Sequence, residues 1–198
     1  MVDLATWNLS IPEGSPPKTI ETPRLVDGFR DKYFNSEGST VSFWSPVTGT
    51  KTENAIYPRS ELRETYRDGT LRNWLYPDAD NKLSATLIVN QVPSSGKIVI
   101  GQIHAKDSSK PMVKLEYQYK DTSDTGDIVA KVRMRPDDSK GRVVTVASGV
   151  KLSQAFSYRI HLDRTGDLGI TAAGRSWYTT ISSDRKSTRL NSSHITIS

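Results

Sequence analysis

Two arginines and a glutamate occupy alternate positions in the segment YPRSELRE, residues 57–64. If this segment is a β-strand, Arg59, Glu61 and Arg63 point to the same face of a sheet. Guanidinium groups in a row can bind anionic groups through paired hydrogen bonds, and the carboxylate between them can keep them oriented. The segment therefore predicts an anion-binding face. A solvent-exposed face with weak ion pairs is the alternative that this spacing also allows.

A second polar pair interrupts an apolar segment, residues 97–105. Gln102 and His104 share one face of the predicted strand, and Ile103 points to the other. An amide can donate to an anion, and an imidazole can accept a proton near neutral pH. A hydrogen-bonded, partly buried histidine without a chemical role is the alternative for His104. Together the two segments predict chemistry on a negatively charged substrate.

The composition is that of one globular domain with a modest basic excess. The chain has 198 residues and a formal net charge of +5, with charges of both signs interspersed. Such an excess favours acidic partners: nucleic acid, acidic polysaccharide or a membrane surface. No dense basic run supports nucleic-acid binding, which is the weakest of our interpretations. The absence of cysteine excludes disulfides and thiolate metal sites, and the three histidines are too dispersed to predict a metal site.

The ends and the hydropathy of the chain say little about its compartment. No apolar run of about eighteen residues or more occurs, so no membrane-spanning helix is predicted. The first residues lack the basic and apolar regions of a signal peptide. We therefore expect a secreted or periplasmic protein if a signal peptide has been removed, and a cytoplasmic protein otherwise.

The secondary structure is predicted to be almost entirely β. Short apolar or alternating runs are separated by Gly, Pro, Asp, Asn and Ser clusters, which predicts about nine or ten strands in a β-sandwich or barrel. The clearest strands span residues 41–44, 56–66, 81–92, 97–105, 113–120, 128–135, 143–146, 156–162 and 168–172. Residues 1–24, which contain four prolines, are predicted to be irregular, and one or two helical turns are predicted near residues 24–34.

The last fifteen residues differ from the rest. Residues 184–198 lose the alternation of strands and turns and contain neither glycine nor an aromatic residue. They resemble the translation of cloning-vector or adapter DNA, so we predict one domain over residues 1–183 followed by a non-native tail. A polar, mobile terminus is the alternative.

The two polar segments resemble the motifs of the alginate lyases of polysaccharide lyase family 7. That family carries R-x-E-L-R and Q-[IV]-H motifs on neighbouring strands, matched here by RSELR and QIH. The stretches DLATWNLSIP, VSFWSPVTGT, RNWLYPDADN and KLEYQYK are also similar to the family, so the resemblance covers residues 3 to 182. It implies a jelly-roll β-sandwich of two antiparallel sheets, with a concave groove for an acidic polysaccharide.

The resemblance also implies a reaction and a role for each motif residue. The substrate would be alginate, a 1,4-linked polymer of mannuronate and guluronate, and the reaction a β-elimination that leaves an unsaturated sugar. Removal of the C5 proton builds negative charge on the adjacent carboxylate, which Arg59 and Gln102 would neutralise. His104 would stabilise the same charge or act as the base. Arg63 would bind substrate, and Glu61 would orient the arginines. No metal or organic cofactor is expected.

One family motif is missing from this sequence. The family's third motif, Y-[FL]-K-A-G-x-Y, supplies a tyrosine as proton donor, and the resemblance ends near Ser183, just before it would begin. Tyr158 and Tyr178 are the late tyrosines, but neither lies in such a motif. We therefore expect the last strand or strands of the sandwich to be missing, the neighbouring strand to be an exposed edge, and the lyase activity of the chain as written to be impaired.

Further contacts with the polymer are expected on the strand at residues 113–120. Lys114, Gln118 and Lys120 share one face, where they could bind additional uronates, although a charged solvent face explains the same pattern. A non-catalytic module that binds acidic polysaccharides is the second interpretation, because β-sandwiches serve both roles. We expect a monomer that binds neither nucleic acid nor membranes.

Overall fold

The computed structural model describes residues 2–53, 55–105, 108, 110–136 and 138–181, together with the backbone of Arg189–Ile197. The chain forms two compact units, one of Met1–Arg72 with Ser192–Ser198 and one of Asn73–Asn191. Nearly all regular structure in the described residues is antiparallel β-sheet, which confirms the predicted fold class.

The described elements follow one another along the chain with short connections. In chain order they are β1 (Trp7–Ile11), β2 (Lys18–Ile20), α1 (Thr22–Val26), β3 (Phe34–Glu37), β4 (Thr40–Phe43), β5 (Ser60–Glu64), β6 (Asn73–Leu75), a 3₁₀ turn (Tyr76–Asp78), β7 (Asn81–Ile88), β8 (Lys97–Ala105), β9 (Pro111–Lys120), β10 (Thr125–Val132), β11 (Arg142–Val150), β12 (Ala155–Leu162), β13 (Asp167–Ala172), β14 (Arg175–Thr180) and β15 (Arg189–Ile197).

The first unit is built around β1. This strand pairs with β2 on one side and β5 on the other, and β3 and β4 form a separate hairpin. In the sequence WNLSI the apolar residues Leu9 and Ile11 alternate with polar ones, so one face of β1 enters the core. Leu9 lies opposite Leu62 of β5, and both are buried in one cluster with residues of α1 and β3.

The second unit contains two antiparallel sheets. One has the strand order β11-β10-β9-β8, and the other has the order β14-β13-β12-β7. Side chains of β12 connect the two: the ring of Phe156 stacks on that of Tyr117 of β9 at 6.2 Å. The unit is therefore a β-sandwich whose core lies between these sheets.

Several element boundaries differ from the sequence-based prediction. Residues 1–24 contain β1 and β2. Three of the four prolines, Pro12, Pro16 and Pro17, lie in the connection between these strands, and Pro23 lies in the helix. The helix begins earlier than predicted, at Thr22, and ends at Val26, shortly before Gly28 adopts a positive φ. The strand β14 was not predicted at all.

No helix in the described part of the chain is long and apolar enough to cross a membrane.

The predicted tail contains a strand. The residues of β15 from 194 to 197 pair antiparallel with β5, and residues 189 to 191 pair with β6; residues 184–188 and Ser198 lie outside the described residues. We expected the strand next to a missing C-terminal strand to be an exposed edge; in the structure β15 pairs with β5. Backbone groups at a sheet edge accept any extended segment, and this tail carries the β-branched residues Ile195, Thr196 and Ile197.

Candidate functional site

The predicted arginine row is present in the first unit. Glu61 and Arg63 belong to β5, and Arg59 immediately precedes it. Leu62 points into the core and is 1 % exposed, so the residues on either side of it point to the opposite face. Ser60 is anchored by a hydrogen bond of 2.6 Å from its Oγ to the carbonyl oxygen of Trp44. The strand is thus held firmly on its core side while it presents charge on the other.

Arg59 forms an ion pair with Glu61 and retains one donor, Nε, without a hydrogen-bond partner among the described residues. Arg59 Nη1 lies 3.6 Å from Glu61 Oε2, which is beyond ordinary hydrogen-bond distance. Glu61 is buried at 5 % exposure, and the Arg59 side chain is 29 % exposed. Among the described residues, the buried Arg59 Nε has no hydrogen-bond partner. The guanidinium is therefore available to an anionic ligand, with Glu61 beside it as an orienting charge.

The neighbouring strand β1 adds polar residues that sequence reasoning did not assign to the site. Asn8 lies opposite Arg63, and Ser10 lies opposite Glu61. Residues paired directly in an antiparallel register share a face, so Asn8 and Ser10 extend the polar face of β5. Asn8 is buried despite its polar side chain. The alternation of polar and apolar residues in WNLSI was the signal that could have identified it.

Gln102 and His104 lie on β8 in the second unit, as predicted. Gln102 is 4 % exposed, and His104 is half-buried. Gln102 lies directly opposite Lys114 of β9, which places both on one face, whereas Ile103 is buried on the other. The predicted alternation around Gln102, Ile103 and His104 is therefore present in the structure.

A β-bulge determines which face Gln102 and His104 reach. Val99 pairs with Glu116 and Gly101 with Leu115, so Ile100 is an extra residue in β8. Without it, strict alternation would put Gln102 on the face of the buried Ile98. The carbonyl oxygen of Ile100 accepts a hydrogen bond of 2.7 Å from Tyr158 Oη. The bulge is thus stabilised from the core side, by a tyrosine of the opposite sheet.

Tyr158 also explains why position 101 is a glycine, because it leaves no room for a side chain there. A Cβ atom at Gly101 would lie 2.8 Å from Tyr158 Oη and 3.1 Å from two of its ring atoms. Burial raises the pKa of Tyr158. This tyrosine is a core residue rather than a proton donor for a substrate, and the other late tyrosine, Tyr178, is exposed on β14. Neither tyrosine was among the predicted site residues.

Glu116 is the centre of a charged cluster on the same face as Gln102. Its Oε1 lies 3.0 Å from Lys114 Nζ, and Lys131 Nζ of β10 lies 2.9 Å from each of its two oxygens. Gln118 Nε2 donates to Oε2 at 2.6 Å. Burial by itself raises the pKa of Glu116, but the hydrogen bonds from Lys131, Lys114 and Gln118 outweigh it and lower the pKa below 4.5.

The predicted polymer contacts on β9 are all engaged within the protein. Lys114 and Gln118 contact Glu116, and Lys120 forms an ion pair with Asp127 of β10. Lys131 was not among the predicted site residues. Its position opposite Lys114 depends on the register between β9 and β10, which the sequence does not reveal.

The structure brings the predicted residues together in two groups. Arg59, Glu61 and Arg63 form one group in the first unit, while Gln102 and His104 lie in the second with Lys114. In the described part of the chain, no group of three or more His, Asp or Glu side chains has a geometry that could hold a metal ion.

Comparison with known proteins gives a family match over almost the whole chain. The family model described as Alginate lyase matches residues 2–194. A curated alginate lyase from Klebsiella pneumoniae is 26 % identical over 216 residues, which covers 83 % of this chain and 69 % of that protein.

Solved structures agree with this match. A crystal structure of an alginate lyase from Pseudomonas aeruginosa is 41 % identical, with a TM-score of 0.93 over 100 % of this chain and 90 % of the other. A variant of the family 7 alginate lyase A1-II′, solved in complex with a substrate written GGMG, is 25 % identical, with a TM-score of 0.78 over 99 % of this chain and 90 % of the other. These likenesses confirm the predicted jelly-roll fold class.

Proposed function

The chain belongs to the alginate lyase family and is a polysaccharide lyase, and from that premise we propose that Arg59, Gln102 and His104 carry the β-elimination of alginate. The proposal matches each residue to a motif position of the family. The comparisons do not favour the alternative of a non-catalytic binding module, because the proteins that this chain resembles are lyases.

The under-satisfied guanidinium of Arg59 is the observation that carries the proposal. Its Nε is buried without a hydrogen-bond partner among the described residues, and its ion pair with Glu61 is 3.6 Å long. A buried donor without a partner costs about 1–3 kcal/mol, which a bound carboxylate would offset. Arg59 is therefore suited to bind the uronate carboxylate, and Glu61 to hold the guanidinium in place.

The elimination needs charge stabilisation and two proton transfers. A base removes the C5 proton, the C4–O4 bond breaks as a C4–C5 double bond forms, and the leaving oxygen takes up a proton. Negative charge grows on the uronate carboxylate during this step, so donors from Arg59 and from the Gln102 amide stabilise the transition state more than the ground state. His104 supports the same charge or accepts the C5 proton. Binding of the polymer is assigned to four further residues, Arg63, Lys114, Gln118 and Lys120.

The proton donor is the missing part of this proposal. Residues 184–198 contain no tyrosine, and the resemblance to the family implies that its third motif would begin near residue 183. We assign this segment to a non-native tail that follows a domain of residues 1–183. The chain as written would then act slowly, as a monomer, on alginate.

Substitution of Arg59 tests the proposed mechanism. Arg59→Lys keeps the positive charge but loses the planar guanidinium group that can donate two parallel hydrogen bonds. We therefore expect the rate at which unsaturated uronate forms from alginate to fall about 100-fold, within the range for removal of a transition-state donor. The matched control is Arg67→Lys, an exposed arginine of the same unit, which should retain the parent rate. Ultraviolet absorbance of the unsaturated product gives the rates. Equal rates for the two variants would refute the role of Arg59.

A further inference from the structure

We propose that Lys114 and Lys131 form an additional carboxylate-binding position beside Gln102, and that Glu116 is the positioning residue that holds the two ammonium groups. The inference rests on the proposed function, because it concerns the same polyanionic substrate. It adds Lys131 and Glu116, to which the sequence assigned no part in binding.

Three polar side chains stand in one row across three strands. Gln102 of β8 pairs directly with Lys114 of β9, and Lys114 pairs directly with Lys131 of β10. Directly paired residues share a face, and adjacent strands lie about 4.8 Å apart. A polymer that crosses the strands at Gln102 would therefore meet Lys114 next and Lys131 after it.

The charges of this cluster do not balance. Glu116 contributes one carboxylate, whereas Lys114 and Lys131 contribute two ammonium groups, so one positive charge remains. The Lys120–Asp127 pair on the same two strands is balanced. An ammonium group has three donors, and the lysine side chains of the cluster are 30 % and 33 % exposed. Both lysines can therefore contact Glu116 and an external anion at once.

Glu116 is too buried to act as a surface counter-ion. It is 4 % exposed and accepts hydrogen bonds from three side chains, Lys114, Gln118 and Lys131. A buried carboxylate with several donors holds those donors in a defined geometry. Two like charges on adjacent strands repel each other, so without Glu116 the ammonium groups would separate. The pair is thus arranged in advance for a carboxylate of the polymer.

The affinity of the Lys131→Gln variant tests the binding position. We measure retardation in gels that contain alginate, over a range of salt concentrations, because this readout does not require catalysis. Lys131→Gln should weaken binding about five- to tenfold. The slope of log affinity against log salt concentration should fall in magnitude by about one, because one fewer counter-ion is released from the polyanion. The control is Lys82→Gln, an exposed lysine of β7 in the other sheet. Identical affinity and salt dependence in the two variants would overturn the proposal.

Substitution of Glu116 separates positioning from net charge. Glu116→Gln raises the net charge by one, so a purely electrostatic surface would bind alginate more tightly. A positioning role predicts weaker binding, with partial recovery in Glu116→Asp and a less than additive effect when combined with Lys131→Gln. Tighter binding by Glu116→Gln would refute the role. If that variant does not fold, Lys131→Gln carries the test.

The outcome for the unsubstituted chain distinguishes the two proposals. If it binds or cleaves alginate while Lys131→Gln behaves as Lys82→Gln does, only the additional position is refuted. If it neither binds nor cleaves alginate, the proposed function itself fails.

Discussion

At the scale of single residues, each of the two units has a buried carboxylate that contacts partly exposed cations. Glu61 lies beside Arg59 in the first unit, and Glu116 lies between Lys114 and Lys131 in the second. Both carboxylates are about 95 % buried, whereas the cations reach solvent. Burial of a charge is costly unless it is paired and hydrogen-bonded, so each carboxylate favours a fixed arrangement of its cations.

The lowered pKa of Glu116 predicts how stability depends on acid. Lys131, Lys114 and Gln118 favour its ionised form in the folded state, so the unfolded chain takes up a proton at higher pH than the folded chain does. The stabilisation from Glu116 is present above its ordinary pKa of 4.5 and is lost as the pH falls through the lower value of the folded state. As the pH falls below 4.5, we expect the Tm of Glu116→Gln to decrease less steeply than that of the parent protein. Parallel Tm–pH curves would contradict this linkage.

At the scale of elements, β8 shows how one extra residue places a site. The bulge at Ile100 moves Gln102 and His104 to the polar face, opposite the buried side chains that precede it. The Tyr158 hydroxyl group of β12 donates a hydrogen bond to the carbonyl oxygen of Ile100. The Tyr158 ring occupies the space that a side chain at Gly101 would fill. The core of the sandwich therefore supports the presentation of Gln102 on the opposite face of the sheet.

Removal of the hydroxyl group of Tyr158 tests this support. Tyr158→Phe leaves the buried carbonyl oxygen of Ile100 without that donor, so we expect the free energy of unfolding to fall by about 1–3 kcal/mol. Thermal unfolding should show a decrease in Tm of several degrees, since about 1 kcal/mol corresponds to about 2–4 °C at this size. Tyr178→Phe is the matched control, because that tyrosine is exposed on β14. If the two variants unfold at the same temperature, the hydrogen bond does not stabilise the bulge.

At the scale of the whole molecule, the segment that pairs with β5 has the backbone of a strand and contains no tyrosine. In the register of β15, residue 194 lies opposite Arg63 and residue 196 opposite Glu61. The family's tyrosine motif is absent from this segment. Backbone hydrogen bonds do not depend on side-chain identity, so a segment without a tyrosine can also pair with this edge.

Replacement of this strand tests the assignment of a non-native tail. A variant in which residues 189–197 are exchanged for a segment with the Y-[FL]-K-A-G-x-Y motif should form unsaturated uronate at least about 100-fold faster, the lower limit of a typical contribution from general acid–base catalysis. The control carries the same segment with phenylalanine at the last position of the motif. Rates that equal those of the parent chain in both variants would show that the tail does not replace a catalytic strand.

The sequence by itself determined the fold class and the strands near which the proposed site residues lie. Alternation identified β5, which Arg59 precedes, and an apolar run interrupted by Gln102 and His104 identified β8, because both patterns are local properties of the chain. The same reasoning failed at β1, where the alternating run was short and followed by prolines. It also could not detect the bulge at Ile100, since one extra residue leaves no mark on composition.

Only the tertiary structure decided which side chains share a face. The cluster of Lys114, Glu116 and Lys131 exists because β9 and β10 pair in one register, and Asn8 joins Arg63 because β1 lies beside β5. Register is set by burial of apolar faces in the complete sheet and by the turns between strands, so it cannot be obtained from any single segment. The residue types that do the chemistry are therefore local information, whereas their partners are a property of the assembled sheets.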